Sequence, residues 1–204
     1  MTERSKLMLS DGEMQLVNNT EWILTKRTII DKVNELLGNL SITFRQLVME
    51  QQAYLPPAVI ASTPKIAKGE NYQQLPYVLL DYPRCFDKEN VFAIRTMFWW
   101  GNFFSCTLHL SGVYKTMFEQ AVVNNLAMQH NTGLYICVNE EEWEHHFEPG
   151  NYMAVDKLKP DEINAITSKQ HFIKMAAKFS LHRWGEMDAL LEKSFSGILH
   201  LLKY

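Results

Sequence analysis

One arginine in a strongly apolar stretch is the first candidate for chemistry. Arg95 stands in the run from Val91 to Trp100, where a guanidinium cannot lose its charge and must find a partner. Asp81, on the preceding predicted strand, would form a structural ion pair with it. Alternatively, Arg95 would be the bidentate donor of a pocket for a carboxylate or phosphate, with Arg84 as a second charge.

His109 is the second candidate, and its surroundings follow from a predicted hairpin. A two-residue loop at Gly101-Asn102 would place Arg95 opposite Leu108 and Ile94 opposite His109. Arg95 would then project from an apolar face, and His109 from a face that carries hydroxyl groups. We expect His109 to bond a neighbouring threonine as a structural residue, with a catalytic role as the alternative.

A third group of candidates lies in the acidic segment from Glu140 to Glu148. On a helix, Glu142 would share a face with His145 and His146, three and four residues further along. A di-iron bundle takes two ExxH motifs and two further glutamates, whereas this segment has one such motif. We therefore predict an acidic solvated turn without a cofactor, and a metal site at these three residues as the alternative.

Other motifs and the charge balance argue against several classes of protein. The sequence has no GxSxG elbow, GxGxxG loop or GxxxxGK[ST] loop, so nucleophilic hydrolysis and the usual nucleotide folds have no support. A net charge of −3 without clustered Lys and Arg argues against nucleic-acid and anionic membrane surfaces. We predict a non-enzymatic binding or protein-interaction domain. The alternative is a small-molecule binding domain or enzyme with a pocket around Arg95, Arg84 and His109, in which Asp81 is the fourth candidate ligand-binding residue.

The cysteines and the first residues bear on the compartment. Cys85, Cys106 and Cys137 are odd in number and include no CxxC pair, so we expect free thiols rather than disulfides or a zinc site. Residues 1–13 contain no apolar run long enough for a signal-peptide core. Together these observations predict a cytoplasmic protein.

The order of predicted elements indicates an α+β fold. The 204 residues, 47% of them hydrophobic, suffice for one domain with its own core. We expect a long N-terminal helix or helix pair in residues 1–55, with Gly38 as the dividing point. An antiparallel sheet of about five strands with an inserted helix would follow in residues 76–157, and a C-terminal helical segment in residues 160–204. The order is α-β-β-β-α-β-β-α, with residues 56–75 as an irregular connection or flap.

That order of elements is similar to the one used by bacterial type III secretion chaperones, small dimeric proteins that bind partner chains. The resemblance is one of topology and carries no motif. The apolar face of the C-terminal helix is broad, with Phe195 and Leu199 beside Ile198 and Leu201. We therefore expect a homodimer through this helix.

Aromatic residues are concentrated in the middle of the chain. Of the 24 aromatic residues, 12 fall between Tyr72 and Phe118. They occur on both faces of the predicted hairpin. We therefore expect the Gly101-Asn102 end of the sheet to be covered on each side, by the chain's own helices or by a bound partner.

Overall fold

Two consecutive helices form the N-terminal part of the protein, whose computed structural model describes residues 7–128 and 132–204. α1 spans Asp11–Asn18 and α2 spans Thr20–Glu50. The predicted long helix is present as α2, which continues through Gly38 without a break, so the division at Gly38 is wrong; α1, which was not predicted, precedes it and ends just before Asn19. The Asn19 side chain accepts a hydrogen bond from the backbone of Trp22 and so caps α2. The first six residues of the stretch scanned for a signal peptide lie outside the described ranges.

Within residues 7–128 and 132–204, seven antiparallel strands form a sheet in the order β1-β2-β3-β4-β7-β5-β6. The strands are β1 (Lys65–Tyr72), β2 (Leu75–Phe86), β3 (Val91–Trp99), β4 (Phe103–Ser111), β5 (Tyr135–Cys137), β6 (Tyr152–Ala154) and β7 (Phe172–Ser180). The sheet is accompanied by the α-helices α3 (Pro57–Ile60), α4 (Gly112–Met128), α5 (Pro160–Lys169) and α6 (Met187–Leu201). Short 3-10 helices span Val155–Lys157 and Leu181–Glu186. Among the described residues, no helix combines the length and apolar character needed to cross a membrane.

The α+β class and the antiparallel sheet are as predicted, but the number and order of strands are not. β1 occupies part of residues 56–75, because its polar sequence is tolerated on an exposed edge of the sheet. β7 lies within the predicted C-terminal helical segment and pairs with β4 and β5. Its residues Phe172, Met175 and Phe179 fit the spacing of a helix. For that reason the alternation of side chains that is typical of a strand was not recognised in the sequence.

The first face of the sheet is covered by α2, α4 and α6, which enclose the main core. α2 and α6 meet at Phe44 and Phe195, whose rings stack with centroids 3.8 Å apart. Phe195, Ile198 and Leu201 are fully buried, and Leu199 is nearly so. The apolar face from which a homodimer through the C-terminal helix was expected is therefore used within one chain.

The β3–β4 hairpin differs from the predicted register by one residue. Its loop contains three residues rather than two, with Gly101 at φ +70°. Arg95 therefore lies opposite Thr107 and not Leu108. Since a one-residue shift exchanges the faces of one strand relative to the other, Arg95 and His109 lie on the same face, opposite the helices.

The loop end of the hairpin is covered on both sides by residues of the same chain. On the helix side, Trp184 contacts the rings of Phe98 and Phe104. On the other side, Tyr72 contacts Trp99 at a centroid distance of 5.0 Å. The expected covering is thus formed internally.

Candidate functional site

The second face of the sheet is covered by residues 138–151, which connect β5 and β6 and which we call the covering segment. This segment reaches the opposite edge of the sheet, where the backbone N–H groups of His145 and His146 donate to the Tyr72 hydroxyl at 2.7 and 3.0 Å. The hydroxyl donates to Glu144 at 2.8 Å. The prediction of a solvated turn is wrong here, because aromatic residues alternate with the acidic ones and pack on the sheet, as Phe147 does on Phe103.

Arg95 is bound by partners from the sheet and from the covering segment. Asp81 is its direct neighbour on β2 and accepts from Nε at 2.7 Å and from Nη2 at 2.9 Å. Its Nη1 lies 3.0 Å from Nε2 of His145. Because a guanidinium can only donate, the His145 ring accepts at Nε2 and carries its proton on Nδ1. The structural ion pair predicted from the sequence is therefore present.

His109 and Lys174 are neighbours on β4 and β7 and hold the covering segment through Glu142 and Glu144. His109 Nε2 lies 2.9 Å from the Glu142 carboxylate. The fully buried Lys174 donates to the backbone carbonyls of Glu142, at 2.8 Å, and of Glu144. The partner predicted for His109 was a threonine, whereas the observed one is an acidic residue 33 positions further along the chain.

The contacts described above join eight residues into one group, which we call the cluster: Tyr72, Asp81, Arg95, His109, Glu142, Glu144, His145 and Lys174. Burial keeps both histidines of this cluster neutral. Desolvation, with the positive charges of Lys174 and Arg95, lowers the pKa of His109 to about 3. The same causes, in the same order, hold the pKa of His145 well below its usual value. Burial also lowers the pKa of Lys174 to about 8. His109 therefore donates to Glu142 as a neutral ring, and Lys174 remains mostly protonated at neutral pH.

Little free space remains between the covering segment and the sheet. The cavity bounded by Arg95, Thr107, His109, Trp143 and Lys174 has a volume of about 10 Å³. That volume holds about one water molecule. In this arrangement the cluster has no room for a carboxylate or phosphate ligand, and the donors of Arg95 are already occupied by Asp81 and His145.

Three of the four residues predicted to bind a ligand come together, and one does not. Asp81, Arg95 and His109 share the covered face. Arg84 follows an irregularity of register in β2, and its Nε donates to the backbone carbonyl of Thr63. Arg84 is therefore separate from the cluster.

The three residues of the alternative metal site have separate partners. Glu142 contacts His109, His145 contacts Arg95, and Nδ1 of His146 accepts from the backbone of Glu148. Within residues 7–128 and 132–204, no group of three or more His, Cys, Asp or Glu side chains has an arrangement suited to a metal ion.

Two members of the cluster were not found from the sequence. Lys174 was placed in a helix, although Lys174, Ala176 and Lys178 alternate with apolar residues as in a half-covered strand. Tyr72 was placed in an irregular connection, and no local pattern indicates that its hydroxyl binds a segment more than 70 residues away.

The three cysteines are free and unsuited to nucleophilic chemistry. Burial raises the pKa of Cys106 to about 12. It also raises the pKa of Cys85 and of Cys137. All three therefore remain protonated thiols at neutral pH.

A second candidate site lies at the N-terminal end, in residues 7–25, which we call the arm. Every residue of the arm is exposed. Nine of the 21 exposed large hydrophobic side chains of the described residues belong to it: Leu7, Met8, Leu9, Met14, Leu16, Val17, Trp22, Ile23 and Leu24. Its last three apolar residues are consecutive and span roughly 200° of the α2 surface. Apolar side chains over so much of a helix surface are normally covered by another part of the protein or by a partner.

Comparisons with protein-family models, with curated proteins and with solved structures find no match for this chain. The function is therefore inferred from the arm and the cluster themselves.

Proposed function

We propose that the protein is a non-enzymatic protein-interaction domain that binds its partner through the arm. The observation that carries this proposal is the concentration of exposed apolar side chains in residues 7–25. Exposed apolar patches of this kind mark interaction surfaces, because leaving such side chains in water has a free-energy cost that binding removes. Val17 and Ile23 are both more than half exposed, and each would be covered in the complex.

The polar cluster supports the same proposal by its closed arrangement. Arg95, His109 and Lys174 all direct their donors to groups of the same chain. Such a network attaches the covering segment to the sheet, and it leaves about 10 Å³ for anything else. We therefore propose that the cluster has a structural role and holds the covering segment against the sheet.

Capture experiments with matched variants test the role of the arm. The arm variant carries Val17→Ser and Ile23→Ser. The control carries Ile42→Ser and Met49→Ser, which alter exposed apolar residues of α2 outside the arm. We expect the wild type and the control to bind the same proteins, and the arm variant to lose them. The purified partner should then form a complex with the wild type and with the control but not with the arm variant. Retention of the same bound proteins by all three, a second copy of the chain included, would contradict the proposal.

A second candidate function is the binding of a small anion after displacement of the covering segment. The observation in its favour is the convergence of nitrogen donors from Arg95, His109 and Lys174 on one cavity. Inorganic phosphate and acetate serve as probes in a thermal-shift measurement. A rise in melting temperature that disappears in His109→Gln would favour this function over the first. We expect no rise.

A further inference from the structure

Two parts of the N-terminal region carry opposite charges. Within the described residues, α1 contains Asp11 and Glu13 and no basic side chain. Residues 25–32 of α2 contain Lys26, Arg27 and Lys32 against one acidic residue, Asp31. Lys26 lies 3.5 Å from Glu70 of β1, whereas Arg27 and Lys32 form no ion pair among the described residues. α1 also exposes Met14, Leu16 and Val17, and the exposed side chains of Trp22, Ile23 and Leu24 directly precede the basic residues of α2. An acidic, apolar helix and a basic, apolar helix surface are complementary in charge and in hydrophobicity.

The two complementary parts cannot meet within one chain. α1 ends at Asn18 and α2 begins at Thr20, so Asn19 alone connects them. Two helices need a loop of roughly 2–5 residues to fold back on each other. Asn19 is also held at both ends: its N–H donates to Leu16 O at 3.2 Å, and its side chain accepts from Trp22 N at 2.9 Å. The α1 surface is therefore available to another chain.

We propose that the partner of the arm is a second copy of this chain, in a two-fold homodimer in which α1 of each copy packs against the N-terminal part of α2 of the other. This inference rests on the proposed function of the arm. A two-fold interface uses every contact twice, so the acidic α1 meets the basic part of α2 on both sides.

The proposed dimer also accounts for the apolar surface of α2 near its beginning. Trp22, Ile23 and Leu24 point in different directions around the helix, so a single flat contact cannot cover all three. In the dimer, α1 and α2 of the partner lie against this turn from different sides. The arm of a second copy therefore covers what a single helix would leave exposed.

Charge exchange between two variants tests this pairing specifically. The acidic variant carries Arg27→Glu and Lys32→Glu, and the basic variant carries Asp11→Lys and Gln15→Lys. All four positions are exposed, and far-UV circular dichroism checks that both variants keep the fold. Native mass spectrometry then distinguishes homodimers from the heterodimer by mass. We expect each variant alone to be monomeric, and an equimolar mixture to form the heterodimer, because α1 and α2 again have opposite charges across the interface.

Three results would overturn the pairing: a monomeric wild type, variants that dimerise as well as the wild type, or a mixture that remains monomeric. A monomeric wild type whose capture of another protein still depends on Val17 and Ile23 removes the second copy as partner but keeps the proposed function of the arm. A wild-type dimer that the Val17→Ser, Ile23→Ser variant also forms contradicts both.

Discussion

Asp81 and Arg95 face each other on neighbouring strands and satisfy one another with two hydrogen bonds. Their side chains are only 9% and 19% exposed. Asp81→Asn would leave a partly buried guanidinium without its counter-charge, so we expect a loss of about 3 kcal/mol of folding free energy. Chemical denaturation of the purified variant measures this loss.

A matched control for this change is the pair of Arg183 and Glu186. It has the same two-point geometry, at 2.8 and 2.9 Å, but both side chains are about half exposed. Glu186→Gln should therefore cost much less folding free energy than Asp81→Asn, because solvent screens the exposed pair. Equal effects of the two substitutions would show that burial does not strengthen the Asp81–Arg95 pair.

The buried histidines predict a loss of stability in acid. The folded-state pKa of His109 is about 3, and that of His145 is also depressed, whereas an unfolded histidine titrates near pH 6.5. The unfolded chain therefore binds more protons between these values. The free energy of unfolding should fall as pH drops through this window, by up to about 1.4 kcal/mol per pH unit for each histidine.

Denaturation curves at a series of pH values between 6.5 and about 3 measure this dependence. His109→Gln removes one of the two titrating groups, so its stability should vary less steeply with pH than that of the wild type. Equal slopes for the two proteins would contradict the assignment of His109 as a buried neutral ring.

At the scale of elements, one hydroxyl group attaches the covering segment to β1 at the edge of the sheet. Tyr72 accepts from two backbone N–H groups of the segment and donates to Glu144. Tyr72→Phe removes all three bonds, so we expect faster amide exchange in residues 138–151 and a modest loss of stability, about 1–3 kcal/mol. Hydrogen–deuterium exchange with mass spectrometry localises the effect.

Tyr77→Phe serves as the control for this change. Tyr77 lies beside Tyr72, with ring centroids 6.5 Å apart, and its hydroxyl has no hydrogen bond among the described residues. Exchange in residues 138–151 should stay at the wild-type rate in this variant. If both variants exchange equally fast, the Tyr72 hydroxyl is not what holds the segment.

The sequence predicted elements well where local pattern and tertiary environment agree. The inserted helix predicted within residues 76–157 is present as α4, and a helix begins at Pro160, where the predicted C-terminal helical segment begins. β7 was missed because its apolar residues fit two periods, and only its pairing with β4 decides between them. The hairpin register was shifted because a three-residue loop replaced the expected two-residue one.

The candidate site was predictable only in part for a related reason. The Asp81–Arg95 pair joins adjacent strands, so a buried charge and its neighbour in sequence order suffice to predict it. The Glu142–His109 and Lys174–Glu142 contacts join residues more than 30 positions apart. Their formation depends on the path of residues 138–151 across the sheet, which no local pattern specifies.

At the scale of the whole molecule, apolar side chains are largely buried in one part of the chain and exposed in the other. The first part is residues 26–128 and 132–204, which we call the body, and the second is the arm. The body buries α6 against α2 and closes both faces of the sheet. The arm, residues 7–25, is exposed along its whole length. This contrast is the basis for assigning association to the arm rather than to α6.

Sedimentation velocity over a range of concentrations tests this assignment most directly. Three proteins are compared: the wild type, the arm variant with Val17→Ser and Ile23→Ser, and the control with Ile42→Ser and Met49→Ser. The wild type and the control should sediment as dimers, and the arm variant as a monomer. The same sedimentation coefficient for all three proteins at every concentration would contradict the account.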